Sequence, residues 1–394
     1  MSDIVLSASV RQNLLSLQST ADLLSTTQSR LSTGKKVNTA LDNPTNFFTA
    51  AALDSRASDI SNLLDGIGNG VQVLQAANAG ITSLQKLVDS AKSVGNQVLQ
   101  TTVGYSPKSL AVGAANAGAT AANLLGGTGI AAADVLTIAS TGGGVASSIT
   151  FGGGAGQVDT LAELNAALAP NNLLATIDDS TGKITITTTN DAASSTIGAI
   201  AGTAAGAGKA FNAVTASAPV ADPIAQNTRA GLVAQYNNII AQITTTAQDS
   251  SFNGINLLNG DNLKLTFNET GKSTLNIPGR TLNAAGLGLS NLTVGTDFLD
   301  NGSANKVLTA LTNASSALRT EGSTLGSNLS IVQIRQDFSK NLINVLQTGS
   351  ANLTLADTNE EAANSQALST RQSIAVSALA LANQSQQSVL QLLR

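Results

Sequence analysis

The sequence predicts a mainly α-helical protein with some β structure: long antiparallel terminal helices forming a coiled coil or bundle, a β-hairpin, and a small α+β central insert. Three observations carry this. Apolar residues near both ends recur in steps of three and four, the spacing of helices that pack lengthwise. Between about residues 102 and 225 the composition shifts to Ala, Thr and Gly, with half of the chain's 36 glycines. Around Gly271 two short segments alternate apolar and polar residues, as half-buried strands do.

The first helix is read from Val10, Leu14, Leu17, Ala21, Leu24, Gln28 and Leu31, a heptad seam. Gly34 fits its C-cap, and Lys35 and Lys36 suit the negative end of the helix dipole. A second helix begins after Pro44 and runs to about Gln100, with Ile60, Leu64, Ile67, Val71, Leu74, Ile81 and Val88 on one face. At about 1.5 Å per residue it would exceed roughly 70 Å, so Gly66, Gly68, Gly70 and Gly80 are expected to bend or break it. Within the insert, 159–169 reads as a short helix and 173–189 as a hairpin turning near 180–182. The Gly/Ala-rich stretches 113–130 and 198–210 read as loops or flexible joins. Helical spacing returns at 231–248. The hairpin at 252–277 should turn Leu263, Leu265, Phe267, Leu275 and Ile277 inward. Leu311, Leu318, Leu325, Leu329 and Val332 resume the heptad habit, and a last helix runs from about Glu360 to the end.

That last helix poses an energetic problem. Residues 374–393 hold eight large aliphatics, among them Ile374, Val376, Leu379, Leu381, Val389, Leu390 and Leu393, and they point in several directions around the axis. Their burial against one partner helix falls short of the cost of ordering twenty residues. Further neighbours are required, and other copies of the same chain can supply them. A head-to-tail contact that does not close then builds a helical filament. The residues expected at such contacts are Leu14, Leu17, Leu24 and Leu31 in the first helix and Leu379, Val389, Leu390 and Leu393 in the last.

Composition argues against most chemistry. Histidine, cysteine and tryptophan are missing, which removes the commonest acid/base group, the thiolate nucleophile and the usual zinc ligands. Net charge is −4 with scattered Lys and Arg, so no phosphate-binding stripe forms and nucleic acid is not an expected partner. The G-x-G-x-x-A at 127–132 follows no clear strand and reads as a loop, and Gly208-Lys209 lacks the rest of a P-loop. Asp178 and Asp179 sit where a hairpin turn needs acceptors, and Glu360 and Glu361 where a helix begins, both structural uses. Catalytic, cofactor and metal sites are all read as none. Asp3 and interrupting polar residues argue against a cleaved signal peptide, and no apolar run reaches the roughly 20 residues of a membrane span.

The stretches LSTGKKVNTALDNP (31–44), DSSFNGINLLNG (249–260) and ALANQSQQSVLQLLR (380–394) resemble bacterial flagellin, over roughly 1–101 and 226–394. The resemblance implies a domain plan: 1–44 and 356–394 as inner-tube helices, 45–101, 226–258 and 298–355 as wall helices, 259–297 as the hairpin region of the wall, and 102–225 as a variable surface insert. It implies a structural subunit that polymerises with itself into the filament used for swimming, with the hook–filament junction protein as the alternative. It implies export through the flagellum's own type III apparatus, an extracellular location, and an export chaperone, the filament cap and hook-junction proteins as partners. An adhesin or enzyme using these ends only for export would need a ligand site in 102–225, and the residues there offer none. A zinc protease of the kind some flagellins carry in the insert is incompatible with a chain lacking histidine. At 84–90 this chain has Lys86 and Ser90 where flagellins recognised by the vertebrate innate receptor have arginine and leucine, which implies weak receptor activation.

Overall fold

In the computed structural model, which describes residues 8–392, six helices and eight strands follow in the order α1 (Ala8–Thr33), α2 (Pro44–Gln100), β1 (Leu110–Val112), β2 (Val135–Ile138), β3 (Ser147–Thr150), α3 (Leu161–Leu168), β4 (Leu173–Asp178), β5 (Lys183–Thr188), β6 (Ile200–Ala201), α4 (Pro223–Asp249), β7 (Leu263–Thr266), β8 (Thr274–Ile277), α5 (Asn301–Thr354) and α6 (Thr358–Leu392). The protein is thus mainly α with β structure, as its periodicities predict. The chain divides into two units.

The first unit comprises 1–70, 264–275 and 330–394. Here α1 lies along α6, and the start of α2 packs on the end of α5 through Ala57, Ile60 and Leu346, with Leu53, Leu342 and Ile343 beside them. The hairpin tip joins the same unit. Leu265 fills the space over Gly70, where a Cβ would stand 2.4 Å from its Cδ2, Arg56 pairs with Glu269 at 2.7 Å, and the Arg335 guanidinium lies 5.7 Å from the Phe267 ring centre.

The second unit comprises 71–263 and 276–329. Its helical part closes α2 on α5 at small residues: a Cβ on Gly95 would meet Leu308 at 2.7 Å, and one on Gly322 would meet Ile81 at 3.4 Å. Leu74, Ile81, Leu84, Val88, Leu311, Leu318 and Leu325 are buried. The expectation of a broken α2 is corrected, since the helix runs unbroken through Gly66, Gly68, Gly70 and Gly80. At Gly70 and Gly80 the missing side chain makes room for a neighbour. Gly80 admits Ser250 and Leu258, which a methyl would strike at 2.2 and 2.7 Å, while Gly66 has open space around it.

One arginine organises this part. Asp222 caps α4, accepting from the Ile224 and Ala225 N–H groups, and Pro223 occupies the first turn. Two turns on, fully buried Arg229 donates to the carbonyls of Thr102 (2.7 Å), Phe298 (2.6 Å), Val98 (3.1 Å) and Thr101 (3.0 Å), and to Asn301 Oδ1 (3.3 Å). Val98 lies in the last turn of α2, where its carbonyl also accepts from the Thr101 N–H and hydroxyl, and Thr101 and Thr102 lie just past the helix end, where carbonyls have no helical donor. Desolvation pulls the Arg229 pKa down, opposed by the nearby Asp300 carboxylate. Phe298, held at φ 60°, stacks edge-on against Tyr236 at 5.9 Å. Burial pushes the Tyr236 phenol up to about 12, with Asp297 adding to the shift.

Beyond Gly104 the backbone enters a narrow neck, in which the Ser106 N–H reaches Val220 O (2.9 Å) and the Asp222 N–H reaches Gly104 O (3.0 Å). The neck leads to two antiparallel sheets ordered β1-β5-β4 and β3-β2-β6, with α3 packed on β3 and β4. Thr160 and Glu163 form a capping box at the start of α3. A single core holds these elements, with Leu136, Ile149, Phe151, Leu164, Leu168, Ile184, Ile186 and Phe211 at its centre. The expectation of flexible joins at 113–130 and 198–210 is corrected, because Leu124, Ile130, Ala204 and Ala210 of those stretches lie inside this core. Buried Asn116 accepts from the Gly129 N–H at 2.7 Å, and a side chain at Gly127 would collide with it. The glycines of the G-x-G-x-x-A stretch therefore make room for an asparagine. Asp178 accepts from the Ser180 N–H and the Ser180 and Thr181 hydroxyls, which hold its carboxyl below the usual range.

Candidate assembly surface

The joint between α1 and α6 fixes how the two ends of the chain meet. Gly34 adopts φ 68° and ends α1, then the Lys36 N–H donates to Thr354 O (2.7 Å) and the Ala356 N–H returns to Gly34 O (3.0 Å). Asp357 caps α6 by accepting from the Asn359 and Glu360 N–H groups. Glu361, in the first turn of α6 and buried, pairs with Arg30 in the last turn of α1 at 3.2 Å. The end of one helix thus meets the start of the other, so the two run antiparallel. Past the joint, the Asp42 carboxylate accepts from the N–H groups of Thr39 and Asn38, which lowers its pKa and fixes the turn into α2.

Along α1 the buried positions are Val10, Thr20 and Thr27, with Leu17 and Leu24 half-buried. Leu14 and Leu31 of the expected contact set are exposed, as are Leu15 and Leu23. One half of the seam therefore falls on Thr20 and Thr27 rather than on Leu14, Ala21 and Gln28. Hydropathy could not have shown this. A buried threonine is tolerated because its hydroxyl satisfies itself within its own helix, as Thr20 does on Ser16 O at 2.8 Å. On α6, Leu379 is half-buried, while Ile374, Val376 and Leu381 are exposed. The side chains of Val389 and Leu390, and all of Leu393, lie outside the described residues. Both helices consequently carry uncovered aliphatic side chains after pairing with each other.

A further uncovered row lies on the part of α5 in the same unit, where Ile331, Ile334, Phe338 and Val345 point to solvent. The sequence held its signal, a seven-residue repeat one position out of phase with the one that includes Val332. No helix of the described residues is long and apolar enough to cross a membrane.

The class this geometry defines is that of helical-ended proteins, whose first and last helices fold back on one another and leave apolar rows open. The chain belongs to the bacterial flagellin family, a family of structural proteins. Residues 5–111 match the bacterial flagellin N-terminal helical region, and residues 308–393 match the C-terminal helical region. Among curated relatives, the flagellins FljM and FljK of Caulobacter vibrioides are each 32% identical, over 165 and 169 residues, and FljO of the same organism is 30% identical over 165 residues. Each alignment covers 41% of this chain, which spans 59% of the length of each of these relatives.

Proposed function

We propose that this chain is the structural subunit of a helical bacterial flagellar filament, polymerising with copies of itself to build the propeller for swimming. The observation that carries the reading is the uncovered aliphatic surface left when α1 and α6 pair, with Leu14, Leu15, Leu23, Ile374 and Leu381 exposed. Terminal segments that lack internal compensation fold fully only on assembly. In this reading 1–44 and 356–394 form the inner tube, and Leu14, Leu17, Leu24, Leu31, Leu379, Val389, Leu390 and Leu393 contact neighbouring subunits. Residues 45–101, 226–258 and 298–355, with the hairpin region 259–297, form the wall, and 102–225 projects outward. The subunit leaves the cell through the flagellar type III apparatus and works with a chaperone, a cap and junction proteins. Polymerisation of purified protein onto filament seeds, followed by sedimentation and electron microscopy, tests it. The parent should elongate seeds, and a chain lacking 375–394 should not. Monomers alone in analytical ultracentrifugation under every salt and seeding condition would refute the proposal, and presence at only a few copies per flagellum would assign the chain to the hook–filament junction instead.

A further inference from the structure

Two rows of side chains, both at heptad spacing, lie next to each other on the part of α5 in the first unit. Val332, Ser339 and Leu346 are buried, and Leu346 packs on Ala57 and Ile60 of α2. One position earlier in each case, Ile331, Phe338 and Val345 are 43%, 59% and 66% exposed, with Ile334 between them at 66%. The first row has its helix. A second row of the same period, about 100° around the axis, has the form of a seam for another long helix rather than for a strand or a small molecule.

The chain itself carries a fitting counterpart. On α6, Ala367, Ile374 and Leu381 also stand seven apart and exposed, with exposed Ala378 between the last two. Both rows have three tiers over fifteen residues, about 21 Å along the axis. Their bulk is complementary, since the α5 row is uniformly large and the α6 row alternates large with alanine. Charge does not bar the contact: Arg371 is the only charged residue between Glu361 and Arg394, and beside the α5 row Asp337 is paired with Lys340 at 3.8 Å. A free dimer needs about 800 Å² per partner, well beyond what four side chains on one helix can cover, so such a contact acts only together with others, as it would in a polymer.

We infer that the α5 row of one subunit receives the α6 row of a second copy, a heterologous helix-on-helix contact. This rests on the filament reading and adds a contact to it. Because donor and acceptor rows differ, the contact need not close on itself and can repeat along an open polymer. Phe338 meets Ile374 at the middle tier whether the helices run parallel or antiparallel.

The chain has no cysteine, so single substitutions report cleanly. Phe338→Cys and Ile374→Cys proteins, each with one thiol, are mixed, grown on seeds and oxidised. Covalent dimers in the mixed polymer, absent from either variant alone and from unpolymerised mixtures, are the expected result. In parallel, Phe338→Glu and Ile374→Glu should each raise the critical concentration for polymerisation by about tenfold or more, with melting of the soluble chain unchanged because both side chains face solvent. A parent that polymerises while the mixture yields no dimers overturns this contact and leaves the filament reading standing. If the cysteine proteins join the polymer poorly, equal critical concentrations for the glutamate variants and the parent overturn it. A parent that never polymerises removes the filament reading, and this contact with it.

Discussion

Replacing Arg229 with Met tests the physical account of the second unit most directly. The guanidinium makes four bonds to backbone carbonyls and one to Asn301, in a site with no exposure to solvent. Methionine matches the length and relieves the cost of burying a charge, but it supplies no donor. The carbonyls of Thr101, Thr102 and Phe298 then lose the guanidinium as donor, Val98 O keeps only its bonds from Thr101, and Phe298 loses a restraint on its left-handed backbone. Each buried carbonyl left without a donor costs about 1–3 kcal/mol, and relief of the desolvated charge offsets part of the sum, which leaves about 3–5 kcal/mol. For a unit of this size each kcal/mol moves the melting temperature by about 2–4 °C, so a fall of about 10 °C is expected. Calorimetry gives the shift, and amide exchange should show the last turn of α2 opening first, since three of the lost bonds are to carbonyls at or just past its end. Arg229→Lys keeps the charge without the fork and should fall between the two. A methionine variant melting within about 2 °C of the parent would show that these carbonyls are satisfied some other way, and the anchoring role would be wrong.

Other expectations follow from single contacts. Gly80→Ala should destabilise the protein by about 1–3 kcal/mol despite its gain in helix propensity, because the new methyl strikes Ser250 and Leu258; Gly66→Ala, with open space, should stabilise by up to about 1 kcal/mol, both read by chemical denaturation. Acid should loosen the insert. Burial pushes the Asp134 carboxyl up, but the Lys209 ammonium at 2.8 Å and the Ala131 N–H outweigh it, and hydrogen bonds hold Asp178 and Glu163 low as well. Groups with lowered folded pKa stabilise above their unfolded values and lose that contribution as pH falls through the folded ones. Melting should therefore weaken from about pH 4 downward, and Asp134→Asn should flatten that dependence. Lys86 and Ser90 are both exposed on α2, and a reporter-cell assay of the innate receptor should give a weak response; a potent one would refute that reading.

The amino-acid sequence by itself determined the long elements, because periodicity over many turns is a local property. Pro44 and Gln100 bound α2 as read, and of the residues expected inward in the hairpin Leu263, Leu265, Phe267 and Ile277 are buried while Leu275 is half-buried. Gly34 ended α1 for the same local reason. What the tertiary structure decided depends on partners distant in sequence. Small residues near 113–130 read as flexible because nothing local shows that a buried asparagine needs them close. Glycines within α2 read as breaks because Ser250, Leu258 and Leu265 approach from elsewhere in the chain. Nothing local singles out Arg229; folding brings the end of α2 and the segment before α5 around it. The α1 seam shows the limit most plainly. A heptad fixes the period of a contact, but which of two adjacent rows lies inside is set by the partner helix, and there threonines that bond their own backbone can go in while leucines stay out.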